Sequence, residues 1–141
     1  MRVIVETVDA NLAGTEESSQ CVLYIHDNLY IPEDLIKPNC GFIRIDPMLW
    51  YDLENMDMLD LEDHVDINRI VRLLNLTLGV NYNNQNNYRT LRYGSIKIEC
   101  RDQITREILL WWFEYFYPTI IPRIMMGNLL NIQIPNIVLV D

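Results

Sequence analysis

Lysine is nearly missing from this chain: Lys37 and Lys97 are the only ones among 11 basic residues, set against 20 acidic ones for a net charge of -9. A field of that sign repels phosphate backbones and anionic lipid headgroups, so the sequence disfavours nucleic acid and membranes as partners. Alanine occurs only at Ala10 and Ala13, while asparagine and isoleucine abound, the look of an A/T-rich gene. Such a gene also favours lysine codons, so the lysine scarcity runs against it. Because lysine is the ubiquitin acceptor, the sharper reading is a protein that works near ubiquitin ligases or escapes degradation in a host cell.

Other shortages exclude chemistry. His26 and His64 are the only histidines, leaving few bases that titrate near neutrality. No glycine-rich phosphate loop, nucleophile elbow or His-Glu-x-x-His pattern occurs, so no enzyme class is indicated. Cys21, Cys40 and Cys100 are odd in number, and their spacings match neither a disulfide framework nor a zinc pattern. They read as reduced thiols of an intracellular protein, cytoplasmic or nuclear. The apolar run Ile108 to Phe113 is too short to span a bilayer, and Met1 to Glu6 is too short for a signal peptide. Neither a cofactor nor a metal is implied.

What is present suggests one α+β domain over residues 1–141, a length able to bury a sizeable core. Val3, Val5 and Thr7 alternate with Arg2, Ile4 and Glu6 as a first strand. Cys21, Leu23 and Ile25 make a second, paired to the first across the acidic loop Asp9 to Ser19, so that residues 1–40 form an N-terminal strand pair and loop. Pro32 and Pro38 keep the following residues irregular, and Phe42 to Ile45 is a third strand ended by Asp46-Pro47. Met48 to His64 interleaves carboxylates with Leu49, Trp50, Leu53, Met56 and Leu59 and fits an amphipathic helix. A helix over Asp66 to Leu78 follows, with Asp66 as N-cap and Gly79 as its stop. The amide-rich stretch Asn81 to Asn87 is a loop with nothing to bury.

Tyr88 to Tyr93 and Ser95 to Cys100 flank Gly94 as a hairpin, and an aromatic helix runs on to Pro118. Its Ile104, Ile108, Trp111 and Tyr115 lie on one face at helical spacing and read as core. Leu130, Ile132 and Ile134 form another strand before Pro135. From Gly41 onward the order is therefore βαββαβ, the ferredoxin-like arrangement: an antiparallel sheet over residues 41–141 with two helices on one face, extended by the N-terminal strand pair.

No motif assigns a function, so the first reading rests on surplus apolar surface. One sheet face buries only part of the aromatic helix, which leaves Leu109, Phe113 and Tyr117 seeking other cover. Trp50, Met56 and Leu59 of the acidic segment could dock in a partner's groove, and Met58 to Glu62 loosely resembles a clathrin-box peptide. This reading is a small, acidic, non-enzymatic protein-protein interaction domain, an adaptor or self-associating module such as a homodimer, with viral or mobile-element origin suiting the composition. The alternative is a nucleic-acid-binding module of RNA-recognition topology, using Arg89, Arg92 and Lys97, although its strands lack the stacking aromatics that family uses. An enzyme with an unrecognised site is the third reading.

Overall fold

The computed structural model describes residues 2–4, 6–45 and 64–126. Its organising element is β3 (Val22–His26), the middle of a five-stranded sheet in the order β2-β5-β3-β6-β7. β5 (Cys40–Arg44) and β6 (Ser95–Ile98) flank β3, both parallel to it, with Tyr24 opposite Phe42 on one side and Lys97 on the other. β7 (Ile124–Met126) continues the parallel set beyond β6. β2 (Thr7–Val8) closes the other edge antiparallel to β5. A separate antiparallel ribbon joins β1 (Arg2–Ile4) to β4 (Tyr30–Pro32).

Alternation along β3 sends Leu23 and Ile25 to one face and Tyr24 to the other, and all three are buried. The first face carries the main core, where Leu23, Ile25, Ile43, Ile96 and Ile98 meet two helices. The second face holds a smaller cluster of Tyr24, Phe42 and Cys40 beneath Ile31 of the ribbon, with the Tyr24 and Phe42 rings stacked at 4.9 Å. A parallel sheet is covered on both faces in this way because its connections must cross over it.

Helix α1 (Val65–Leu74) buries Ile67, Ile70 and Leu74. Its N-cap is His64, whose Nδ1 accepts the Asp66 N–H at 3.1 Å. Asp66 sits one turn in and pairs with Arg69. The helix stops at Asn75, which takes the left-handed conformation (φ 59°), before the expected end at Gly79. One turn of helix, α2 (Gln85–Tyr88), interrupts the amide-rich stretch, its N-cap Asn84 accepting from Asn86 and Asn87. That stretch does bury something: Tyr82 lies in the main core with its hydroxyl accepting the Thr77 N–H.

Helix α3 (Gln103–Phe116) starts on Asp102, whose carboxylate accepts the Ile104 N–H. Its inward face is Thr105, Leu109, Trp112 and Phe113. The expected core stripe is turned outward, with Ile104 46%, Trp111 42% and Tyr115 57% exposed. Both stripes are apolar, so the helix alone does not choose between them. The continuing chain does. Tyr117 and Ile120 are buried, and Tyr117 lies four residues beyond Phe113, extending the row Thr105, Leu109, Phe113. Ring contacts of Trp112 with Phe113 at 4.8 Å and Tyr117 at 5.5 Å close that side.

The mixed α+β class is as expected, but the sheet is not the antiparallel ferredoxin-like one. β3 pairs with β5 and β6 and not with the first strand, and residues 89–94 form no strand to complete a hairpin. Gly94 instead lies so close to the Ser19 backbone that a β-carbon there would collide with the Ser19 carbonyl oxygen. The expected helix within residues 48–64 and the strand around Leu130 to Ile134 lie outside the described residues.

Candidate functional site at the carboxyl ends of the parallel strands

In open parallel sheets, ligands bind in the crevice outside the carboxyl ends of the strands, at the point where successive connections depart in opposite directions. Here the chain leaves β3 toward β5 on one side, and leaves β6 toward β7 on the other. The switch point therefore falls between β3 and β6. His26, Asp27 and Asn28 end the first strand, and Glu99, Cys100, Arg101 and Asp102 follow the second.

These two ends are tied together. Asp27 is 5% exposed and accepts the Arg101 backbone N–H at 3.1 Å, with Arg101 Nε 4.0 Å away. The Glu99 N–H donates to the Ile25 carbonyl at 2.8 Å, continuing the β3–β6 ladder past the last strand residue. Arg106, one turn into α3, donates to the carbonyls of Cys100 and Arg101 and so holds the loop from behind. Arg101 keeps its side chain half exposed at the mouth.

Below it lie hydrogen-bonding groups left over. His26 is fully buried, and its Nδ1 accepts the Asn28 N–H at 3.2 Å. Burial first, then the charge of Arg44, lowers its pKa to about 4, while the Asn28 bond acts the other way. The imidazole is therefore neutral at pH 7, and with Nδ1 accepting, its proton sits on Nε2. Among the described residues neither that Nε2–H nor the Asn28 side-chain amide has a hydrogen-bond partner, although Asn28 is only 2% exposed. A buried polar group without a partner costs roughly 1–3 kcal/mol. The strand ends thus combine a half-exposed guanidinium, two uncommitted buried donors and the carboxylates of Asp27 and Glu99. Among the described residues, no group of three or more His, Cys, Asp or Glu side chains is placed to hold a metal ion.

The residues singled out from sequence fall elsewhere. Leu109, Phe113 and Tyr117 are buried in the main core, because the helix turns that face inward. Trp50, Met56 and Leu59 lie outside the described residues. Arg89, Arg92 and Lys97 are not brought together: Arg92 is bound to Asp9, Lys97 lies 5.7 Å from the Tyr24 ring on the sheet, and Arg89 is exposed beside Tyr88. In sequence Asp27 and Asn28 read as a turn, Glu99 as an outward strand residue and Arg101 as part of the helix start. Only the parallel pairing of two distant strands unites them, and alternation within each strand carries no sign of direction.

No family model matches the chain. It is similar to DNA topoisomerase 2 top-2 of Caenorhabditis elegans, 25% identical over 126 residues that make up 82% of this chain and 8% of that protein. Among solved structures it resembles the Plasmodium falciparum topoisomerase II DNA-binding, cleavage and re-ligation domain, with a TM-score of 0.62 and 21% identity over 83% of this chain and 17% of that one. The chain thus spans less than a tenth of the curated relative and less than a fifth of the solved domain. The structural likeness establishes the fold.

These likenesses overturn the expectation of a non-enzymatic protein-protein interaction adaptor, since both similar proteins are type II topoisomerases, which are enzymes. The expected viral or mobile-element origin falls with it, as does the exclusion of nucleic acid on charge alone. A net charge of -9 describes the average field. It does not describe the position of a single half-exposed guanidinium such as Arg101. Among the described residues no helix is long and apolar enough to cross a membrane.

Proposed function

We propose that this chain is a DNA-interacting unit of topoisomerase II type and that a DNA backbone meets it across the carboxyl ends of β3 and β6. The observation that carries this reading is the agreement of two comparisons, one by sequence and one by structure, each over more than four fifths of the chain and each reaching a type II topoisomerase. The strand-end chemistry supports it. Arg101 offers a guanidinium at the mouth, a geometry suited to phosphate oxygens, while Asp27 and Arg106 fix the loop that carries it.

Fluorescence anisotropy with a labelled duplex, repeated across a salt series, tests the reading. Binding should be detectable at low salt and weaken steeply as salt rises, because each neutralised phosphate releases counterions. Arg101→Ala should weaken it and lower the slope of log K against log salt by about one. Absence of duplex binding at low salt, or an Arg101→Ala protein that binds as tightly as the parent, would sink the proposal. A supercoil-relaxation assay on the same protein measures whether strand passage accompanies binding.

A further inference from the structure

The opposite end of the sheet carries a second concavity, unconnected with the strand-end crevice. It holds about 410 Å³, within the range of roughly 300–1,000 Å³ typical of small-molecule sites. Two segments far apart in sequence face each other across it. Thr15, Ser18 and Ser19 come from the loop entering β3, and Gln85, Tyr88 and Arg89 come from α2 and its end. Leu91 and Tyr93 complete the lining, and Glu16 contributes its one carboxylate. The close approach of Gly94 to the Ser19 backbone brings the two segments together at the amino ends of β3 and β6.

Some of its donors are committed: the Tyr93 hydroxyl donates to Asp9 and the Tyr88 hydroxyl to the Gly94 carbonyl. The Thr15 hydroxyl is spent on the Leu12 carbonyl. By contrast, no described hydrogen bond engages the side chains of Ser18, Ser19, Gln85 or Arg89. Arg123 lies 3.4 Å from the centroid of the Tyr88 ring and brings a second guanidinium beside the cavity. Arg89 and Arg123 face Glu16, with Glu17 next in the same loop, so this corner is close to balanced within a chain of net charge -9. The one lining cation, Arg89, with one carboxylate and the serine hydroxyls, matches a ligand that carries a phosphate and sugar hydroxyls.

We propose that this cavity binds a nucleoside monophosphate group, with the phosphate on Arg89 and the Ser18 and Ser19 hydroxyls, and a sugar hydroxyl or base amine donating to Glu16. The group comes either from a free nucleotide or from the phosphorylated end of a nucleic-acid strand. The chemistry recognised is the same, and the two sources are separable by experiment.

The test is a titration of the full chain, followed by nuclear magnetic resonance, with deoxyadenosine monophosphate, deoxyadenosine and a short single strand with or without a 5′-phosphate. Saturable shifts at Ser18, Ser19 and Tyr88 are expected with the phosphorylated ligands, with at least tenfold weaker binding for the unphosphorylated ones. Tighter binding of the mononucleotide identifies a free nucleotide as the source, and tighter binding of the phosphorylated strand identifies a strand end. Arg89→Gln, an exposed change whose intact fold is checked by circular dichroism, should lose at least tenfold. Arg101→Ala, whatever it does to strand or duplex binding, should leave the mononucleotide shifts at Ser18, Ser19 and Tyr88 in place. The proposal is overturned by absence of saturable shifts at millimolar nucleotide, by an Arg89→Gln protein that binds unchanged, or by loss of nucleotide binding in Arg101→Ala, which would move the ligand to the strand-end crevice.

Discussion

His26 shows how a side chain's surroundings set its chemistry. Its pKa falls from 6.5 to about 4 in the folded chain, so the unfolded state binds more protons than the native state between those two values. The sign follows: stability is fully present above pH 6.5 and is lost progressively as the pH falls toward 4, by up to about 3 kcal/mol. Urea midpoints at pH 7 and pH 5 should therefore differ in the parent, and His26→Gln should shrink that difference. Identical pH dependence in the two proteins would mean that the imidazole is not buried in its neutral form. The cysteines obey the same logic with the opposite sign, since burial raises the thiol pKa values of Cys21, Cys40 and Cys100. None of these effects is visible in sequence, where His26 reads as an outward strand residue and Asp27-Asn28 as a turn. What hides them is that burial at a strand end depends on which strands lie alongside.

At the scale of the element, α3 was legible in extent and misleading in orientation. The apolar run and the stop before Pro118 mark its body and end correctly, while the N-cap Asp102 emerges from the structure. Periodicity, however, offers two apolar stripes about a third of a turn apart. The choice is made by Tyr117 and Ile120, which lie after the helix and continue the row through Leu109 and Phe113. Phe113→Ala should accordingly cost roughly 3–5 kcal/mol in chemical denaturation, the penalty of a large buried truncation. Trp111→Gln and Tyr115→Gln, which alter a stacked but exposed ring pair, should each change stability by about 0.5 kcal/mol or less. Equal losses at Phe113 and Trp111 would reverse the assignment of the inward face. Helix α1 teaches a similar lesson at its ends, for both caps precede the expected ones: His64 in place of Asp66, and Asn75 in place of Gly79.

For the whole molecule, the strands at Cys21 to Ile25 and Phe42 to Ile45 were readable from alternation, as was the α+β class. Their pairing was not, because a strand's pattern is the same whether its neighbour runs parallel or antiparallel. The hairpin expected around Gly94 shows the consequence: a glycine that reads as a turn serves a close backbone contact with Ser19. Net charge misled in the same way, by averaging over a surface that is locally varied. Its honest use is in bulk behaviour. With 20 acidic and 11 basic residues the folded chain repels itself, so moderate salt should raise its thermal midpoint by screening. Differential scanning calorimetry at low and physiological ionic strength measures this, and a midpoint that falls with salt would show that attractive pairs such as Arg92 with Asp9 outweigh the repulsion.

β3 sets a spacing that the chain cannot tune freely. Its five residues, rising about 3.3 Å each, hold the amino-end cavity and the carboxyl-end crevice roughly 16 Å apart. Inserting one residue would send Leu23 or Ile25 to the wrong face along with everything after it. Length changes that preserve the core must therefore come two residues at a time, so the separation of the two ends is a stepped quantity, inherited whole or shifted by about 7 Å.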